Sequence, residues 1–237
     1  MILSTSIYTD LISSAENAKK QLAVLIDPDK FNTLEAEGFF RKLPLNITHI
    51  FVGGSTAESE ETHLTVKSIK QYSSLPVILF PGDHSQITEE ADALLFLSLI
   101  SGRNPEYLIE QQVKSAAGLQ NSSLEIIPTG YILIDGGREC AVERVSQTRP
   151  MSQNDIESII NTALAGQFSG KKLIYLEAGS GASIPVSPRI ISSVKQALSI
   201  PLIVGGGIRT EKQLLSAYEA GADLVVIGTA FEEGTVL

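Results

Sequence analysis

Eight short apolar segments recur along the chain, and each is a continuous hydrophobic run rather than an alternation of apolar and polar residues. Such runs are typical of parallel strands that are covered on both faces. The eight runs are 22–27, 49–54, 77–82, 93–98, 130–135, 173–179, 202–207 and 224–229. Segments with helical spacing lie between them, so the pattern predicts an α/β fold of the TIM (β/α)8 barrel type.

The connections between the runs predict where the barrel is regular and where it is not. Helical spacing is clear at 105–117, 152–168, 187–198 and 210–220. Thr210 precedes the last of these as a cap residue, with Glu211 in the first turn and Gly221 closing the helix. The connection at 83–92 is too short for a crossover helix, which needs about a dozen residues. We therefore expect a barrel whose third helix is reduced or missing.

One long stretch without periodicity, 136–155, follows the fifth strand. A long loop after a barrel strand lies on the catalytic face, so this stretch is a candidate for covering the site. No Pro-, Gly- or Ser-rich linker divides the chain, which predicts one domain over residues 1–237. Nine residues follow Gly228, so the eighth helix is expected to be short or absent.

Composition and charge narrow the classes of partner. The hydrophobic content of 43% excludes disorder, and the formal charge of -9 argues against a broad basic surface for nucleic acid. An anionic ligand must therefore be held by local groups. Cys140 is the single cysteine and cannot form an internal disulfide, and the N-terminal residues lack the features of a signal peptide. A cytoplasmic location is the expectation. The apolar runs are too short to span a bilayer.

Glycine-rich segments follow the last three strands. The segments are GGGIRT at 205–210, GTA at 228–230 and YLEAGSGA at 175–182, which also contains an acidic residue. Glycines let backbone N–H groups approach a phosphate closely, and a following helix N-terminus adds its dipole. One such loop alone is equally explained as a tight turn. Two in the seventh and eighth positions favour a phosphate site.

Polar residues also follow the first two strands. The segment DPDK, 27–30, brings two carboxylates and an ammonium group to the rim, and carboxylates suit Mg²⁺. A solvated turn explains the same tetrapeptide. Ser55 is a candidate second metal ligand beside Asp27, or Ser55 or Thr56 caps the next helix. Of the histidines, His49 is interpreted as the entry to the second strand and His63 as helix surface, while the role of His84 stays open.

Taken together, these motifs match the pattern of a known protein family. It resembles the geranylgeranylglyceryl phosphate synthase family, which includes the bacterial heptaprenylglyceryl phosphate synthases, from about residue 8 to 235. The resemblance rests on LIDPDK, FVGGST, LFLSLISGRNPEYLIEQQ, PTGYILIDGG, YLEAGSG, VGGGIRT and VVIGTAFE in this order. Jointly these motifs are specific, although no single one is.

The resemblance implies a reaction and a set of residues. Members of the family join a prenyl diphosphate to the C3 hydroxyl of sn-glycerol 1-phosphate and release pyrophosphate, with Mg²⁺, on a barrel whose third helix is replaced by an extended segment. By similarity, Asp27 and Ser55 would hold the metal. The residues that would hold the glycerol phosphate are Tyr175, Leu176, Glu177, Ala178, Gly179, Ser180, Gly181, Gly206, Gly207, Gly228 and Thr229.

The resemblance also implies roles within that set. Glu177 is the candidate acceptor of the hydroxyl proton, with the alternative that it only positions the glycerol hydroxyls, and Tyr175 is grouped with it as catalytic. Tyr107 stands where an aromatic residue influences tail length, which favours a C20 tail. Leu25 replaces the lysine of heptaprenyl-type members, and Lys30 is a hypothetical substitute for its charge. A homo-oligomer, dimer or hexamer, and peripheral membrane contact through the lipid product are further expectations.

Two other functions fit part of the pattern. A sugar-phosphate isomerase would use the same glycine-rich loops, with Asp27 and Asp135 as acid and base. A silent ligand-binding barrel would bind phosphate without turnover, and fold alone does not exclude it. Dependence on a divalent metal and on an allylic diphosphate separates the synthase from the isomerase, and turnover separates it from the silent barrel.

Overall fold

The eight predicted strands form one closed, parallel barrel. The computed structural model describes residues 6–54 and 57–228. Neighbouring strands pair in chain order, and β1 closes the barrel by pairing with β8. The strands are β1 (Gln21–Ile26), β2 (His49–Val52), β3 (Val77–Leu79), β4 (Ala93–Leu99), β5 (Glu125–Leu133), β6 (Leu173–Glu177), β7 (Leu202–Gly205) and β8 (Leu224–Ile227).

Helices surround the barrel at most connections. They are α1 (Ile7–Glu16), α2 (Ala36–Phe40) after a 3₁₀ turn (Thr33–Glu35), α3 (Ser59–Tyr72), α4 (Gln111–Leu119) after a π-helical turn (Glu106–Glu110), α5 (Ala141–Ser146), α6 (Ile156–Phe168), α7 (Pro188–Ala197) and α8 (Glu211–Glu219). Within the described ranges, none of these helices is long and apolar enough to cross a membrane.

Two apolar clusters explain why the strand sequences are continuously hydrophobic. Alternate residues of each strand point to opposite faces of the sheet. Phe51, for example, packs inside the barrel, whereas its neighbours Ile50 and Val52 pack against the surrounding helices. Both faces are therefore buried, as the continuous runs predicted.

Several element boundaries differ from the predictions, and the side chains explain two of these differences. Strand β5 begins at Glu125, before the predicted 130, because a mixed segment with Pro128 and Thr129 still pairs with β4. Helix α6 begins at Ile156 and not at 152, because the Asp155 side chain accepts the Ser158 amide and caps the helix there. The predicted cap at Thr210 is confirmed, since its side chain accepts the Gln213 amide.

The connection from β3 to β4 has no helix, as predicted. The buried Gln86 orders this segment, because its amide group donates to the Ala57 carbonyl at 2.8 Å and accepts from the Gly82 amide at 2.9 Å. Leu94 and Phe96, which pack in the outer apolar cluster, line a cavity together with Ile87 from this connection. The reduced helix therefore opens space beside the carboxyl ends of the strands.

Helix α1 closes the opposite end of the barrel. Its apolar residues Ile7 and Leu11 pack into the inner cluster with Leu173 and Leu224. The Glu125 carboxylate accepts the Ile7 and Tyr8 amides at 2.6 and 3.1 Å, and a negative group is favourable at a helix N-terminus. Access to the barrel interior is consequently from the carboxyl ends of the strands.

The interpretation of Ser55 or Thr56 as a helix cap is wrong. Helix α3 begins at Ser59, and its cap residue is Glu58, whose amide donates to Glu61 Oε2 at 3.3 Å. The reciprocal bonds of such a capping box satisfy amide groups at the first turn. Ser55 and Thr56 themselves lie outside the described residues, as do Thr229 and the segment expected to hold a short eighth helix.

Candidate active site

A cavity of about 430 Å³ lies at the carboxyl ends of the strands. Residues after β1, β2, β3, β6, β7 and β8 contribute to its wall, including Asp27, Gly54, Phe80, Ser180 and Gly207. Helix α5, from the long loop after β5, also lines it through Val142, Arg144 and Val145. The structure thus agrees with the prediction that this loop covers the site.

Glu177 is a buried carboxyl group at the end of β6 that lines this cavity. Burial raises its pKa from 4.5 to about 7, because the charged form loses its hydration. The nearby Tyr175 hydroxyl and the Gly179 amide, which donates to Oε1 at 2.7 Å, offset part of this effect. Near neutral pH both protonation states of this carboxyl group are therefore populated, so it can accept or donate a proton there.

Two glycines make room for this carboxyl group. A Cβ atom at Gly205 would lie 2.7 Å from Glu177 Oε2, and one at Gly206 would lie 2.4 Å from Oε1. Gly206 and Gly207 also have φ angles of +82° and +73°, which side chains rarely allow. The first two glycines of the GGGIRT motif thus form the space for the Glu177 carboxyl group, in addition to the turn that the sequence predicts.

The predicted phosphate-binding residues do not all line the cavity. Tyr175, Glu177, Ser180, Gly181, Gly206, Gly207 and Gly228 line the cavity. Leu176 and Ala178 belong to the outer apolar cluster, so their side chains face the helices. Gly179 contributes its amide to Glu177, and Thr229 lies outside the described residues.

Asp27 is the metal-ligand candidate that the structure describes. Its carboxylate is half-buried at the cavity wall, with Oδ2 at 3.0 Å from Lys30 Nζ, while Oδ1 accepts the Asp29 amide at 3.2 Å. Within residues 6–54 and 57–228, no group of three or more His, Cys, Asp or Glu side chains is placed to hold a metal ion. One carboxylate at an open cavity fits Mg²⁺, because this ion takes its other ligands from water and substrate phosphates.

The structure distinguishes among the cationic side chains. Lys30 and Arg209 line the cavity, and Arg209 Nη1 donates to the Ala182 carbonyl at 2.7 Å. Arg103 bonds instead to the Gly102 carbonyl, outside the cavity wall, and Arg189 is likewise not a lining residue. Arg144 lines the cavity and was missed by the sequence analysis, because its segment has no hydrophobic period that would place it over the barrel.

The apolar part of the cavity follows β4. Leu94, Phe96 and Leu97 line it, together with Ile87 from the connection that lacks a helix. Tyr107, in the π-helical turn before α4, lines the same region, and burial raises its pKa. The cavity therefore joins a polar end near Glu177 to an apolar groove that follows β4 from Leu94 to Leu99.

Phe80 and Tyr131 are two further lining residues that the sequence analysis did not single out. Each lies in an apolar run of the kind that forms the barrel core, so nothing in the neighbouring sequence distinguishes them from ordinary core residues. Only the closed barrel brings their rings to the ring of Tyr175, at 5.2 and 5.4 Å between centroids.

The histidines take three separate positions. His49 begins β2 and is buried, and burial lowers its pKa to about 4. His63 is not plain helix surface, because it is half-buried and its Nδ1 lies 2.9 Å from Thr88 Oγ1. His84 lines the cavity rim, with Nδ1 3.1 Å from Gln111 Oε1.

Asp135 does not join Asp27 at the cavity. Its side chain is exposed, is not among the lining residues and accepts the Gly137 amide at 2.9 Å. The acid and base pair of the isomerase hypothesis is therefore not brought together.

The fold and the cavity define a (β/α)8 barrel protein with its site at the carboxyl ends of the strands. Comparisons with known proteins identify the family. The model of the PcrB family matches residues 15–236, so the chain belongs to this family. The geranylgeranylglyceryl phosphate synthase of Zunongwangia profunda is 62% identical over 224 residues, which cover 94% of this chain and 96% of that protein. The protein of the same name from Pyrococcus abyssi is 45% identical over 220 residues, covering 92% and 86%.

A solved structure agrees with these relatives. It is the crystal structure of (S)-3-O-geranylgeranylglyceryl phosphate synthase from Thermoplasma acidophilum in complex with its substrate sn-glycerol-1-phosphate. It matches with a TM-score of 0.90 and 35% sequence identity, covering 96% of this chain and 92% of that chain. The expected resemblance to this family is thereby confirmed, as is the barrel fold.

Proposed function

We propose that the protein is a prenyltransferase that joins geranylgeranyl diphosphate to the C3 hydroxyl of sn-glycerol 1-phosphate and releases pyrophosphate. The observation that carries the proposal is the continuity of the buried Glu177 carboxyl group and its glycine loops with the apolar groove along β4. One end suits a small phosphorylated polyol and the other suits a hydrocarbon tail. The relatives' names supply the particular substrates.

Different residues of the chain have different roles in the proposed reaction. Backbone N–H groups around Gly181, Gly206 and Gly207 bind the phosphate of the glycerol substrate. Glu177 accepts the proton of the C3 hydroxyl as its oxygen forms the new ether bond. Lys30 and Arg209, on the cavity wall, stabilise the negative charge of the departing pyrophosphate. Helix α5 limits the access of water to the reacting groups.

Mg²⁺ dependence is part of the proposal, with Asp27 as the residue that would hold the ion. When bound, Mg²⁺ supplies positive charge that stabilises the pyrophosphate leaving group. The hard oxygens of a single carboxylate, beside an open cavity, match what this ion needs from a protein when substrate phosphates are present. Ser55, the second expected ligand, lies outside the described residues.

The remaining parts of the proposal concern the oligomeric state, the cellular location and contact with membranes. A homo-oligomer, dimer or hexamer, a cytoplasmic location and peripheral contact of the product with membranes follow from the family resemblance. Large apolar side chains that are exposed on the single chain, such as Leu34, Phe168 and Val113, are compatible with contacts between subunits. Light scattering after size-exclusion chromatography measures the oligomeric state directly.

The experiment is product detection by mass spectrometry with the purified protein and Mg²⁺. C15, C20 and C35 prenyl diphosphates are each paired with sn-glycerol 1-phosphate and with sn-glycerol 3-phosphate. We expect the prenylglyceryl phosphate from the 1-phosphate, and most of it from the C20 diphosphate. Absence of product from every pairing, while binding of sn-glycerol 1-phosphate is retained, would favour a silent barrel.

A further inference from the structure

Three aromatic rings contact one another among the residues that line the cavity. Phe80 follows β3, while Tyr131 and Tyr175 are register partners on β5 and β6. The Phe80 ring centroid is 5.9 Å from that of Tyr131 and 5.2 Å from that of Tyr175, and the two tyrosine centroids are 5.4 Å apart. These three residues, all of which line the cavity, are called the aromatic wall.

Phe80 is held in a defined position within this wall. Its amide donates to the Val52 carbonyl at 2.8 Å, and its ring stacks on the fully buried Phe51 at 6.4 Å. A Cβ atom at Gly53 would lie 1.8 Å from the Phe80 carbonyl oxygen, so only a glycine there allows this approach. Unlike Phe51, Phe80 is partly exposed and lines the cavity. Its ring is therefore both supported from behind and open to a ligand.

The aromatic wall stands where the two proposed substrates must meet. Tyr175 is two residues before Glu177 on β6, and both side chains reach the space that Gly205 leaves free. Phe80 begins the helix-free connection that borders the apolar groove. An allylic carbon that comes from the groove to react with a hydroxyl group near Glu177 would therefore have to approach these rings.

On the basis of the proposed function, we infer that the aromatic wall, and Phe80 in particular, stabilises the allylic cation formed when the diphosphate leaves. The C1–O bond of the prenyl diphosphate breaks, and its electron pair departs with pyrophosphate. The C3 oxygen of the glycerol phosphate then forms the new C–O bond at C1, and its proton passes to Glu177. The negative face of an aromatic ring attracts the intermediate positive charge.

The two tyrosines support the same role through their rings. Both hydroxyl oxygens are buried, and that of Tyr175 lies beside the Glu177 carboxyl group at Gly205. Burial and the charge of Glu177 raise the pKa of each phenol, so both stay neutral and keep an uncharged ring beside the cation. The face of a neutral ring attracts a cation, but it does not form an ion pair with the cation that would hold it in place.

The test replaces the Phe80 ring in graded steps. Incorporation of phenylalanine with one, two and three ring fluorines at position 80 weakens the negative ring face while changing its size little. We expect log kcat for the C20 diphosphate to fall steadily with each fluorine, and Phe80→Leu to lose roughly tenfold in kcat. Phe168→Leu is the matched control, because it removes an exposed ring that does not line the cavity, and it should leave kcat unchanged.

The readouts separate this role from packing. KM for sn-glycerol 1-phosphate and the thermal unfolding midpoint should change little along the fluorine series. If kcat is independent of fluorination although an α-secondary deuterium isotope effect shows that ionisation limits the rate, the wall has no electrostatic role and the inference is wrong. If the unmodified protein forms no prenylglyceryl phosphate at all, the proposed function fails first, which is a distinguishable outcome.

Discussion

Glu177 and Gly205 are register partners on β6 and β7, and the carboxyl group of the first occupies space that the second leaves free. A Cβ atom at Gly205 would lie 2.7 Å from Glu177 Oε2 and 2.3 Å from the Tyr175 hydroxyl oxygen. Real Cβ atoms do not approach other atoms this closely, so the glycine and the glutamate depend on each other. The pair links the glycine-rich loop after β7 to the chemistry of β6.

Gly205→Ala should displace the Glu177 carboxyl group and lower kcat by roughly 100-fold, because small misplacements of reacting groups have effects of this size. Overpacking should also cost about 1–3 kcal/mol of unfolding free energy. Steady-state kinetics and chemical denaturation measure the two effects. Gly118→Ala is the matched control, since nothing lies within 4 Å of a Cβ atom there in α4. A fully active Gly205→Ala protein would show that the position of Glu177 is unimportant.

The pH dependence of activity should follow the titration of Glu177. Because burial raises its pKa to about 7, kcat/KM should rise with pH through this value as the base form appears. The substrate phosphate also titrates near pH 6, so Glu177→Gln is the required control. This variant keeps the phosphate titration and should lose the rise near pH 7, together with most of its activity.

The same pKa shift predicts the direction of a stability change. The folded protein holds the Glu177 proton more tightly than the unfolded chain, whose carboxyl group titrates near 4.5. The contribution of Glu177 to stability is therefore complete below about pH 4.5 and is lost as the pH rises to about 7. Denaturation curves of the protein and of Glu177→Gln, compared across this range, should diverge in that direction. Parallel curves would contradict the shifted pKa.

Asp27→Asn should remove most of the Mg²⁺-stimulated turnover, because the hard carboxylate oxygens beside the cavity are lost. Asp135→Asn is the control, since this side chain is exposed and is not among the cavity-lining residues. Turnover is measured over a range of Mg²⁺ concentrations, with EDTA as the zero point. The isomerase hypothesis predicts the opposite for Asp135→Asn, namely a severe loss.

Tyr107→Ala should shift the preference for chain length towards longer diphosphates. Tyr107 lines the apolar part of the cavity, and removing its ring lengthens the space available to the tail. The ratio of kcat/KM for the C35 and C20 substrates should rise roughly tenfold, since each additional apolar group in a pocket changes binding by a modest factor. Tyr72→Ala, at an exposed position in α3, is the control and should leave the ratio unchanged.

Asp223 should be a strong contributor to barrel stability. Its buried carboxylate accepts from Lys195 Nζ at 2.6 Å and from the Leu202 amide at 2.7 Å, which ties α7 to β7 just before β8. Asp223→Ala should cost about 2–4 kcal/mol of unfolding free energy, because buried partners lose their acceptor. Glu37→Ala breaks the exposed pair with Arg41 and should cost less than about 1 kcal/mol. Equal effects of the two variants in urea denaturation would refute this ranking.

Much of the fold could be read along the chain. The continuous apolar runs reflect burial on both sheet faces, and this requirement acts on each strand separately. The missing third helix follows from a connection too short to hold it. Glu177 could also be predicted as a site residue from the sequence. An acidic residue at the end of a buried apolar run is conspicuous, and the carboxyl ends of barrel strands are where active sites form.

Other features of the site have no local signal. Phe80 and Tyr131 read as ordinary core residues, and Arg144 lies in a segment without a helical period. The long loop contains α5, which forms over the barrel through contacts from Val142 to the inner cluster. The sequence also placed the glycines of GGGIRT in a turn and not beside the Glu177 carboxyl group.

By itself, the sequence determined the strand positions, the parallel barrel and the likeness to one family, because hydrophobic periodicity and strand-end motifs are local properties. Only the tertiary structure decided the raised pKa of Glu177, the fit between Glu177 and Gly205, and the meeting of three aromatic rings. Each of these depends on burial or on register between strands that are distant along the chain. Closure of the barrel determines both the burial of these side chains and the register between the strands.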